Sequence, residues 1–178
     1  MNSLFLFLIF VYLGLFFDNM GIFKFTLISS ILHEAGHIIS YCILMKKCPS
    51  IDVSVYGFKM RNNVTQQKIL VKILICGPMV NLIATILTYI YSLNTLKFDV
   101  LIFALINLSI FIFNSLPIYF LDGGQILYCL SPFYQRNYLK ISLITITIVS
   151  VMLFCFTGLS WIVLLPLTYI VYNILNDI

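Results

Sequence analysis

Charge is what this chain has least of. Only 9% of its 178 residues are charged and 62% are hydrophobic, whereas a soluble domain carries about 25% charged residues. That balance excludes an ordinary soluble fold and identifies an integral membrane protein. No polar stretch exceeds about two dozen residues, so no soluble catalytic domain is expected between the apolar runs. The chain reads as one membrane-embedded domain over 1–178, with a core at about 22–130. A net charge of +4 is too small to suggest a nucleic-acid partner. The five cysteines, Cys42, Cys48, Cys76, Cys129 and Cys155, are odd in number and lack a Cys-x-x-Cys spacing, so they read as space-filling thiols. The first apolar run has neither a basic flank nor a small-residue cleavage site, and is expected to be a retained helix.

What is present is a series of six apolar spans, at about 3–17, 22–45, 69–91, 98–121, 141–157 and 159–175. Crossing a bilayer takes about 20 residues, so the first span and the last two need interfacial residues or a thinned bilayer to complete the passage. The fold expected is an all-α polytopic membrane protein with about six transmembrane helices, of which 3–17, 141–157 and 159–175 are accessory. Six spans place both termini and the loops 46–68 and 122–140 on one side. Lys46, Lys47, Lys59, Arg61, Lys68, Arg136 and Lys140 all lie there, against Lys24 and Lys97 on the other. By the positive-inside rule the richer side is cytoplasmic. Residues Ile51 to Met60 alternate imperfectly and are rich in β-branched and aromatic residues, which predicts a small cytosolic-side β-hairpin. Such a hairpin either covers the surface or offers an edge to an extended substrate.

Against this scarcity of ionisable groups, Ile31-Leu32-His33-Glu34-Ala35-Gly36-His37-Ile38-Ile39 places three within five positions. An acidic residue inside a membrane helix costs about 2.5 kcal/mol or more on insertion scales, so the cluster calls for a chemical explanation. On a helix His33 and His37 lie one turn apart on one face and can reach one zinc ion, with Glu34 placed to activate the attacking water. A hydrogen-bonded structural cluster between helices is the competing reading.

Two histidines leave such a zinc one protein ligand short. Of the remaining acidic residues, Asp18 and Asp99 fall on the far side, Asp177 is terminal and Asp52 is in the loop. Asp122 remains, at the cytosolic end of the fourth span. It has a second reading, because Asp122-Gly123-Gly124-Gln125 also resembles a capping box for a short helix through Leu130.

His33-Glu34-Ala35-Gly36-His37, followed by Asn114-Ser115-Leu116-Pro117-Ile118-Tyr119-Phe120-Leu121-Asp122-Gly123-Gly124, resembles the site-2 protease family of intramembrane zinc metalloproteases. Gly77-Pro78-Met79-Val80-Asn81 is similar to a further element of that family. The likeness runs from 33 to 124 and is nearest to the compact six-span branch of the sporulation proteases. It implies one zinc ion per chain held by His33, His37 and Asp122, with Glu34 as general base. It also gives Asn114 a role as a neutral amide hydrogen-bonding the scissile carbonyl or oxyanion. Pro117 is expected to break the helix between Asn114 and Asp122, and Asn81 to make a helix–helix hydrogen bond.

The substrate implied is a transmembrane or membrane-associated protein or peptide, unwound locally at the scissile bond. With no accessory domain in the sequence, its selection would fall to regulatory membrane proteins, to the hairpin or to the substrate itself. A metal or proton transporter is the alternative class, but six acidic residues and two histidines provide no relay across a bilayer. A catalytically silent immunity or assembly factor is a further alternative, opposed by the presence of every expected catalytic group. A multi-pass location in the cell membrane follows, and the bias towards Ile, Phe, Lys and Asn fits an AT-rich bacterial genome.

Overall fold

The computed structural model describes residues 11–18, 20–54, 57–61 and 66–157. Of the first span, 11–17 is described and 11–16 is helical, and the sixth lies outside the described residues. The chain divides into two compact units between Asn114 and Ser115.

In the first unit, α1 (Ile22–Met45), α2 (Gln67–Thr95) and α3 (Phe98–Asn114) pack on one another. Helix α1 matches the expected span residue for residue. It starts after Gly21, whose φ of 72° supplies the left-handed turn, and Asp18 Oδ2 accepts the backbone N–H of Lys24 at 2.8 Å. It ends at Lys46, again in the left-handed region. Between α1 and α2, β1 (Ser50–Ser54) and β2 (Gly57–Arg61) pair antiparallel, with Ser50 opposite Arg61 and Ser54 opposite Gly57.

The inward and outward faces of these helices invert the soluble pattern. Helix α1 buries Ser29, His33, Gly36, His37, Ser40 and Tyr41, at the three- and four-residue spacing of one helical face, while Ile31, Ile39 and Ile43 are exposed. Helix α2 buries Gly77, Pro78 and Asn81 and exposes Ile83, Ile86, Leu87 and Ile90. Small and polar residues inside with large aliphatic residues outside is the packing of helices whose solvent is lipid. Among the described residues, α1 and α2 are long and apolar enough to cross a membrane, and α3 is a shorter apolar helix.

Asn81 makes the expected helix–helix contacts. Its Nδ2 donates to the Ser29 carbonyl on α1 at 3.3 Å and to Asn107 Oδ1 on α3 at 3.4 Å, so one fully buried amide ties all three helices. Helix α2 continues through Pro78 as one element.

In the second unit the sequence expectation needs correcting. The stretch 122–140, expected as a loop, is helical almost throughout: α4 (Asp122–Leu130) is followed directly by α5 (Pro132–Thr157), whose later part is the expected fifth span. The cause is local. Ser131 Oγ accepts the backbone N–H of Tyr134 at 3.2 Å and Pro132 occupies the first helical position, where its missing N–H costs nothing. The fourth span is also shorter than expected, since α3 ends at Asn114, three residues before Pro117.

Candidate metal centre

Helix α1 carries His33 and His37 one turn apart, and both are buried. Their Nε2 atoms are 3.1 Å apart, with the rings nearly perpendicular at 85°. The Nδ1 of His37 lies 2.9 Å from the carbonyl oxygen of Ile73 on α2. A carbonyl only accepts, so this bond fixes a proton on Nδ1, and in the neutral ring Nε2 then carries a lone pair. That is the tautomer and the outer-shell contact of a metal-ligating histidine. Glu34, half-buried, follows His33 directly.

The close approach of α1 and α2 depends on two glycines. A Cβ on Gly36 would come within 2.8 Å of the Cys76 carbonyl oxygen and 3.1 Å of the Gly77 Cα. A Cβ on Gly77 would enter the His37 ring.

Asn114 is the last residue of α3, half-buried, with Nδ2 donating to the Ile110 carbonyl at 3.1 Å. Its amide nitrogen is thus turned back along its own helix.

In the second unit, Asp122 is buried at the first position of α4. The capping-box reading fails here. The N-cap is Leu121, whose side chain makes no capping hydrogen bond. Asp122 nevertheless lies in the first turn, where a carboxylate faces the positive end of the helix dipole.

The loop leading to it, 115–121, is held by its own polar contacts. The Leu121 N–H reaches the Ile118 carbonyl at 2.9 Å, the Tyr119 N–H reaches Ser142 Oγ at 3.0 Å, and Tyr134 Oη donates to the Pro117 carbonyl at 3.0 Å. Gly123 and Gly124 permit this fold-back, because a Cβ on either would strike the loop backbone at Ser115 or Ile118. The loop and the start of α4 thus form one fixed platform for Asp122.

Sequence reasoning missed two contributors, the Ile73 carbonyl and Gly77. A backbone acceptor has no sequence signature. Gly77-Pro78 did stand out, but as part of a family-like sequence element rather than as space for an imidazole.

No family model and no curated protein matches this chain. Among solved structures it is similar to the site-2 protease from Methanocaldococcus jannaschii, with a TM-score of 0.60 and 23% sequence identity, over 96% of this chain and 85% of that one. At that identity the likeness establishes the fold.

Proposed function

We propose that this protein is an intramembrane zinc endopeptidase of the site-2 protease type, a single membrane-embedded domain of six spans with both termini in the cytoplasm. The observation that carries the reading is the pair of facing imidazole Nε2 atoms, 3.1 Å apart on a buried helical face, with His37 held in the ligating tautomer by Ile73 and with Glu34 beside them.

The ligands in this reading are His33, His37 and Asp122. Two imidazoles and a carboxylate suit zinc and leave room for a fourth, exchangeable position. Zinc bound there would polarise the scissile carbonyl and acidify water. The chain's own residues do the rest. Glu34 takes the proton from the attacking water and delivers it to the departing amine nitrogen, a role worth about 10² to 10⁴ in rate. Asn114 would serve the substrate carbonyl through its amide nitrogen, which requires release of its bond to Ile110. The fold of the Methanocaldococcus jannaschii enzyme and the lipid-type packing of the first unit support a substrate that is a membrane protein or membrane-bound peptide.

The test is the zinc content and zinc affinity of the purified full chain. One zinc per chain is expected, retained in Glu34→Gln and weakened in Asp122→Ala. Unchanged affinity in Asp122→Ala would refute direct ligation by that carboxylate.

A further inference from the structure

Gly36 and Gly77 face each other where α1 and α2 come close, yet they protect different things. The nearest atom to a Cβ on Gly36 is the Cys76 backbone carbonyl, so Gly36 serves the approach of the two helices. For a Cβ on Gly77 the three nearest atoms all belong to the His37 imidazole, with Cδ2 at 2.8 Å and Nε2 and Cε1 nearer still. That ring has little freedom to yield. It is 5% exposed, and its Nδ1–H is bonded to the Ile73 carbonyl, about one turn before Gly77 on the same helix. One position on α2 therefore anchors the Nδ1 edge of the ring, while the other leaves space for the Nε2 edge.

We infer that Gly77 is a positioning residue for the metal site: its lack of a side chain lets His37 lie against α2 with Nε2 turned towards Nε2 of His33. The inference rests on the proposed ligand role of His37. A methyl group at position 77 forces the ring either off the Ile73 carbonyl or away from His33, and in both cases Nε2 leaves its place.

The variant to make is Gly77→Ala in the full-length chain, purified in detergent. Alanine is the better helix former, so the substitution brings no backbone reason to unfold. Zinc affinity, measured by competition with a chromophoric chelator, is expected to fall at least about tenfold, the scale of loss when an outer-shell support of a metal site is removed. The second measurement is the thermal midpoint of the metal-free protein, with Gly77→Ala made in the wild-type and His37→Ala backgrounds.

Any loss of midpoint caused by Gly77→Ala should disappear once the His37 ring is gone, whereas Gly36→Ala should lower the midpoint in both backgrounds. If Gly77→Ala alone does not fold, the inference requires that the double variant does. Wild-type zinc affinity in Gly77→Ala, or equal damage with and without the His37 ring, overturns the inference. A wild-type chain that binds no zinc defeats the metal reading instead, and the two-background comparison still decides whether Gly77 makes room for the ring.

Discussion

At the scale of single residues, the account turns on polar groups placed where solvation cannot support them. His33 and His37 were legible in the sequence because their geometry is local: four residues of helix bring two side chains onto one face, whatever surrounds them. The Ile73 carbonyl and the bare Cα of Gly77 were not, since one is backbone and the other is a missing side chain, and both come from a separate helix. Asp122 was legible as a residue but not in its role at the helix start, where one position separates a cap from a first-turn carboxylate. If Asp122 acts as a ligand, Asp122→Asn should weaken zinc binding while keeping the shape of the side chain, as read by chelator competition. Retained affinity would return Asp122 to a helix-dipole role worth about 0.3 to 1 kcal/mol.

At the scale of elements, helix termini decided what the sequence did and did not reveal. The bounds of α1 follow directly from the apolar run between Gly21 and Lys46. The start of α5 was hidden because polar and charged residues after Pro132 lower the hydropathy, although Ser131-Pro132 is itself a helix-start signal. Ser131→Ala should cost about 1 kcal/mol of stability by removing the acceptor of the Tyr134 N–H, seen as a lower unfolding midpoint with zinc affinity unchanged.

Helix association in the first unit offers a parallel test. Asn81 joins α1, α2 and α3 through two long hydrogen bonds, and interhelical bonds of this kind average about 0.6 kcal/mol each. Asn81→Ala should therefore destabilise the protein by about 1 to 2 kcal/mol, including the small cavity left behind, without abolishing zinc binding. A large loss of zinc with no loss of stability would place Asn81 in the site rather than in the packing.

At the scale of the whole molecule, composition was the most informative signal. A chain this rich in apolar residues turns aliphatic side chains outward and keeps its small and polar ones inside, and the helices of the first unit do both. The distribution of Lys and Arg gives an expected orientation, and two positions in that unit test it. Cys48 is exposed in the segment after α1, and Leu96 is 89% exposed at the end of α2. In intact cells an impermeant maleimide should label Leu96→Cys in an otherwise cysteine-free chain and spare a chain keeping Cys48 alone; the opposite pattern would invert the topology.

The claim above all of these is that Glu34 makes the buried histidine pair into a peptidase. The most direct measurement compares membrane peptides from cells carrying the wild-type chain with those from cells carrying Glu34→Gln, after confirming equal expression and equal zinc content. The account predicts fragments produced by the wild type that are absent with Glu34→Gln. The same fragments in the same amounts from both would contradict it.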